Sequence, residues 1–141
     1  MPTHVFTLLR AEIKAVLEVA LADVDWRDDY WARGAAAGDL PRGWVRIPGA
    51  QVAYFDREEV VRTPRIQVLI QREGGDDLQD VQEADSAAIE AAVLPVLEAR
   101  SHDTELTRVD FAASGDASSP VGEVLMEFTA ALVTPPGDPT E

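Results

Sequence analysis

The carboxylates of DVDWRDD, residues 23–29, have a spacing that could bind a metal ion. A calcium loop places oxygen ligands at positions 1, 3 and 5 and a glycine at position 6. Asp23, Asp25 and Arg27 occupy the ligand positions here, and Asp28 stands where the glycine belongs. Because the third ligand and the glycine are both missing, the pattern argues against calcium.

A second pair of carboxylates, Asp76 and Asp77, follows two glycines in an open acidic stretch. Paired catalytic carboxylates need an apolar pocket that separates their pKa values, so a turn is the better interpretation. His4 and His102 have no neighbouring ligands in sequence, and we expect both on the surface. The chain has no Walker, GxGxxG, GxSxG or HExxH pattern. The sequence therefore predicts no catalytic, cofactor-binding or metal residue, and we expect a protein that is not an enzyme.

The aromatic residues are concentrated in DVDWRDDYWARGAAAGDLPRGW, residues 23–44, although only 6% of the chain is aromatic. A core role can account for Trp44 and for Trp26, but less well for Tyr30 and Trp31 beside glycine and alanine. Protein interfaces are enriched in Trp, Tyr and Arg, so we predict a subunit interface, with packing inside the domain as the alternative. The interface candidates are Trp26, Tyr30, Trp31, Arg33, Arg42, Trp44 and Arg46.

The charge is extreme and unevenly distributed. The chain has 26 acids against 12 bases, a net charge of −14, which repels nucleic acid phosphates and argues against specific DNA binding. Residues 1–72 hold ten acids and ten bases, whereas residues 73–141 hold sixteen acids and two bases. This asymmetry predicts two electrostatically different faces. The alternative is an acidic surface that is solvated and has no specific role. The acidity fits either GC-rich coding bias or life at high salt.

The length and composition fit one domain. The chain has 141 residues, of which 46% are hydrophobic, and it has no cysteine. No apolar run approaches the roughly 18 residues of a membrane span, and the first residues lack a signal-peptide pattern. We therefore expect no membrane association.

Hydrophobic periodicity predicts the order α-β-β-β-α-β-β, a single α+β domain over residues 1–134 with a mostly antiparallel sheet and a loose Pro-rich tail at 135–141. Thr3 and Asp85 are the expected N-caps, and Pro48-Gly49 is the expected turn between the first two strands. The predicted helices span 3–22 and 86–100, and the predicted strands span 43–47, 51–55, 65–73, 105–113 and 123–133.

Four features taken together resemble the tail-terminator and tail-completion proteins of long-tailed viruses. They are the amphipathic first helix, the strands containing RTPRIQVLIQ, the proline-containing helix AIEAAVLPVLEA and the final strand GEVLMEFTAALVT. The resemblance covers residues 3–134 through element order rather than a signature motif. It implies a hexameric ring that caps the finished tail tube, stops its polymerisation and meets the head connector.

The resemblance also implies partners and a location. The partners would be other copies of the chain, the tail tube protein and a head–tail connector or adaptor, and the protein would lie in the virion neck after assembly in the host cytoplasm. DNA would pass as cargo through an acidic channel that repels phosphate, and the channel-lining candidates are Asp76, Asp77, Asp80 and Glu83. Another neck component, such as a head–tail adaptor, is the first alternative. A small enzyme or ligand-binding domain with an acidic cleft is the second.

Overall fold

The computed structural model describes residues 3–28, 41–114 and 120–140. The interface candidates Tyr30, Trp31 and Arg33 lie outside these residues. Within them, two helices and six strands follow the predicted order, with the short last strand continuing the fifth after a break at Ala131. The helices are α1 (Val5–Ala20) and α2 (Leu78–Glu98), and the strands are β1 (Asp25–Arg27), β2 (Arg42–Tyr54), β3 (Val60–Glu73), β4 (Thr104–Ser114), β5 (Val121–Ala130) and β6 (Leu132–Thr134).

The described strands form one sheet in the order β1-β2-β3-β5-β4, and β6 pairs with β3. All pairs are antiparallel except β1 with β2. Both helices contribute to one core, which identifies the sheet face they cover. The single α+β domain is thus as predicted, and its sheet ends laterally at β1 and at β4.

Helix α1 forms because apolar residues recur at three- and four-residue spacing and all meet the core. Val5, Leu9, Ile13 and Leu17 are buried. The expected cap Thr3 is wrong, because the helix begins after His4, whose side chain accepts a hydrogen bond from the Phe6 amide at 3.1 Å.

The final strand confirms the predicted alternation. Met126 and Phe128 are fully buried, whereas Glu127 and Thr129 point to the opposite face and are half-buried. Phe128 lies beside Ile66 of β3 in the antiparallel register. Burial of one such side chain stabilises the fold by about 1.5–3 kcal/mol.

Strand β2 corrects the prediction of two short strands around a Pro48-Gly49 turn. The strand runs continuously, and its pairing with β3 shifts between Arg46 and Gly49. A bulge of this kind accommodates a proline that cannot donate a ladder hydrogen bond. The actual turn is at residues 55–59, where the Phe55 amide donates to the Glu59 carbonyl at 3.0 Å.

Helix α2 begins earlier than predicted, and this changes the role of Asp85. The acidic connector becomes helical at Leu78, so Asp85 lies inside the helix as a buried residue rather than at its N-cap. Pro95 lies within the helix, as predicted.

The C-terminal segment contacts the start of α1 through Pro139 and Thr140. The Val5 amide donates to the Pro139 carbonyl at 2.9 Å, and His4 pairs with Thr140 in an isolated bridge. These contacts tie Pro139 and Thr140 to the start of α1, and the looseness of the tail stays a prediction. His4 is correspondingly half-buried, whereas His102 is exposed as expected.

Candidate subunit interface

Three of the interface candidates are covered within their own subunit. Trp26, Trp44 and Arg42 are only 7%, 4% and 8% exposed. The Trp26 indole donates to the Leu21 carbonyl at 3.3 Å, and the Arg42 guanidinium lies over the Trp44 ring at 4.9 Å. Packing inside the domain therefore accounts for the burial of these three residues, and their role between subunits stays a prediction. Arg46 is exposed, and its interface role stays a prediction, as do those of the three candidates outside the described residues.

A chain of hydrogen bonds fixes Arg42 on the sheet face opposite the helices. The Arg42 Nε donates to the Gln71 Oε1 at 3.1 Å, and the Gln71 Nε2 donates to the Glu123 Oε1 at 2.7 Å. The chain crosses three neighbouring strands, so a slip of any one of them would break it. Arg42 thus acts as a positioning group inside the subunit.

The four acidic candidates lie together at the start of α2. Asp76, Asp77, Asp80 and Glu83 are all exposed. Their surroundings are also acidic. Described residues from 74 onward contain thirteen acids and two bases, whereas those before 74 contain nine of each. The charge asymmetry of the sequence therefore separates α2, β4 and β5 from the rest of the domain.

Arg72 joins three elements through two carboxylates. Its Nε donates to the Asp85 Oδ2 at 2.6 Å, and its Nη1 donates to the Asp23 Oδ2 at 2.6 Å. The hydrogen bond from Arg72 holds the pKa of Asp23 below its ordinary value. Both carboxylates raise the pKa of Arg72 against the opposing effect of burial. The guanidinium therefore stays charged and connects β3 to α2 and to the turn after α1.

A cleft of about 310 Å³ opens between α1 and β1. Trp26 and Val45 form its apolar wall, and its charged lining consists of three cations and one carboxylate, Arg10, Lys14, Arg27 and Asp28. The Lys14 Nζ also pairs with Asp28 at 2.9 Å. Such a cleft can accept an apolar side chain flanked by carboxylates. Sequence reasoning missed it because its cations come from a helix and a separate strand.

Exposed apolar side chains mark two further surfaces. Phe111 and Val109, each 41% exposed, lie on β4 at one lateral end of the sheet. Tyr54 and Phe55 are exposed at the tip of the hairpin that joins β2 to β3. The signal for the tip was present in the sequence, since QVAYF runs directly into the polar stretch DREE. The exposure of Phe111 depends on the strand order, which the sequence did not show.

The described part of the chain contains no group of three His, Cys, Asp or Glu residues that could hold a metal ion. None of its helices has the length and apolar character to cross a membrane. No protein-family model matches the chain, and no curated protein matches it.

Proposed function

We propose that this chain is a structural subunit of the neck of a long-tailed virus, a tail terminator. Copies form a ring, which caps the tail tube and joins it to the head connector. The resemblance in element order supports this function, since a first helix, three strands, a second helix and the final strands follow one another as the resemblance requires.

The observation that carries the proposal is the difference between the two lateral ends of the sheet. At the β4 end, α2 presents exposed acids and β4 presents Phe111. At the β1 end, the cleft presents Arg10, Lys14 and Arg27 around an apolar wall. Surfaces that complement each other at opposite ends of one molecule favour head-to-tail contact, and such contact forms a ring when its rotation closes.

The remaining surfaces suit the other partners of a terminator. Tyr54 and Phe55 project from the sheet on a two-stranded tip, where aromatic side chains can contact the tube or the connector. Asp76, Asp77 and Asp80 are exposed at the start of α2, where they can face a channel and repel the phosphates of passing DNA.

Deletion of the gene in the virus tests this function. A terminator stops tube growth, so the mutant should produce filled heads together with unjoined tails of excessive and variable length. Expression of the wild-type chain in trans should restore normal particles. Tails of normal length without heads would instead indicate a head–tail adaptor, and normal infectious particles would exclude any role in the neck.

A further inference from the structure

We propose that Phe111 of one copy inserts into the cleft between α1 and β1 of the next copy. This contact rests on the proposed ring function and specifies how the ring closes. The occupant is a second copy because the complementary parts lie on this same chain, at matching positions along its strands.

The strand registers place Phe111 level with the cleft. Phe111 of β4 belongs to a row of paired residues that crosses the whole sheet to Trp26 of β1. The residues between them in this row are Val124 of β5, Ile70 of β3 and Gly43 of β2. Neighbouring strands twist by about 20–25°, so β1 and β4 are not parallel to each other. A rotation about an axis along the mean strand direction keeps this row approximately at one level, and it brings Phe111 of one copy towards Trp26 of its neighbour.

Val109, two residues before Phe111 on the same strand, extends this match. It pairs with Met126, which is linked through Val68 to Val45, another residue of the cleft wall. Val45, Val68 and Met126 all belong to the helix-covered side of the sheet. The two exposed residues of β4 and the apolar wall of the cleft thus share both level and face.

Both edges are open to a neighbour within the described residues. There, β4 pairs only with β5, and β1 pairs only with β2. Successive strand directions make β4 antiparallel to the β1 of the next copy in this arrangement. The approach is therefore compatible with antiparallel strand geometry, in which side chains opposite each other come into contact.

Charges beside the apolar contact are also complementary. The Asp85 side chain faces Arg72 of β3. At 3.6 residues per turn, Glu83 and Glu90 lie at angles of about 160° and 140° from Asp85 around the axis of α2. They are exposed on the side of α2 away from Asp85. The same helix lies over β4, because the Gln82 Nε2 donates to the Ala112 carbonyl at 3.1 Å. Glu83 and Glu90 can therefore meet Arg10 and Lys14 of the neighbour.

Disulfide trapping tests the contact without background, because the chain has no cysteine. Val109→Cys and Ala11→Cys proteins are mixed at high concentration and oxidised, since Val109→Cys leaves Phe111 in place and Ala11 lines the cleft. The matched control pairs Val109→Cys with Val19→Cys, which is exposed on the same helix as Ala11 but does not line the cleft. We expect a covalent dimer from the first mixture and little from the second.

A charge exchange and a truncation provide measurements that do not depend on cysteine. Arg10→Glu should weaken self-association in sedimentation velocity, and adding Glu90→Arg should restore it. Phe111→Ala should raise the dissociation constant at least about 30-fold, as expected of an interface hot spot, whereas Phe55→Ala should leave it unchanged. Thermal melting of each variant excludes loss of folding as the cause.

The outcomes separate this contact from the ring itself. Oligomers that form without the disulfide between positions 109 and 11, or that are insensitive to both the charge exchange and the truncation, would overturn the contact and leave the terminator function standing. A chain that stays monomeric at every concentration would also overturn it as a self-contact. Normal particles after gene deletion would refute the function, whatever the result of cross-linking.

Discussion

The Asp85→Asn substitution should destabilise the domain more than Asp23→Asn, the same change at the other carboxylate of the Arg72 cluster. The Asp85 side chain is 6% exposed and that of Arg72 is 16% exposed, so the pair has little access to water. Removing one partner of a fully buried ion pair costs about 3–5 kcal/mol, because the other charge stays buried. Arg72 retains Asp23 as a partner, and we therefore expect a loss of about 2–3 kcal/mol in the free energy of unfolding.

Asp23→Asn is the matched comparison, since it removes the other carboxylate from the same guanidinium. The Asp23 side chain is 61% exposed, and an exposed ion pair contributes about 1 kcal/mol or less. Urea unfolding followed by tryptophan fluorescence gives both values on one scale, because Trp26 and Trp44 are buried. Equal losses from the two variants, or a loss below about 1 kcal/mol for Asp85→Asn, would refute this account of the cluster.

Three further predictions concern pH, the core and the segment outside the described residues. The hydrogen bond from Arg72 lowers the pKa of Asp23 in the folded protein, so ionised Asp23 stabilises the fold at pH values above the ordinary pKa of an aspartate. This stabilisation is lost as the pH falls through the lower pKa of the folded state. Acid titration of unfolding should accordingly be shallower for Asp23→Asn than for the wild type below about pH 4. Phe128→Ala should cost about 3–5 kcal/mol in urea unfolding, because the ring is fully buried, and a loss below about 1 kcal/mol would contradict its placement in the core. Trp31→Ala should leave the melting temperature nearly unchanged but weaken assembly, measured by sedimentation, by about 2 kcal/mol. A large loss of monomer stability would show that Trp31 stabilises its own domain rather than an interface.

Regular periodicity made part of the fold predictable. The spacing of Leu9, Ile13 and Leu17 identified α1, and the alternation around Met126 and Phe128 identified the buried face of β5. Both patterns are local consequences of helix and strand geometry, so neighbouring residues suffice to detect them.

The errors arose where a distant residue decides the local structure. Asp85 has the residue type of an N-cap, but its partner Arg72 lies on another element and holds it inside the helix. Pro48 and Gly49 have turn chemistry, yet pairing with β3 carries the strand through them as a bulge. Local preferences of this size are readily overridden by tertiary contacts.

The place of the proposed interface was not predictable from the sequence. Charge counting predicted two electrostatically different faces, and that stays a prediction, because the described residues show the difference only along the chain. The aromatic cluster was a weaker guide, since Trp26 and Trp44 support the subunit's own packing. Phe111 and the cleft became visible only from the sheet order, which brings one to each lateral end.

Electron cryo-microscopy of particles from a strain that carries this gene tests the proposed function most directly. The account predicts a closed ring of this chain at the head-proximal end of the tail tube, with Phe111 of each copy in the α1–β1 cleft of the next. Particles whose neck and tail contain no copy of the chain would contradict it.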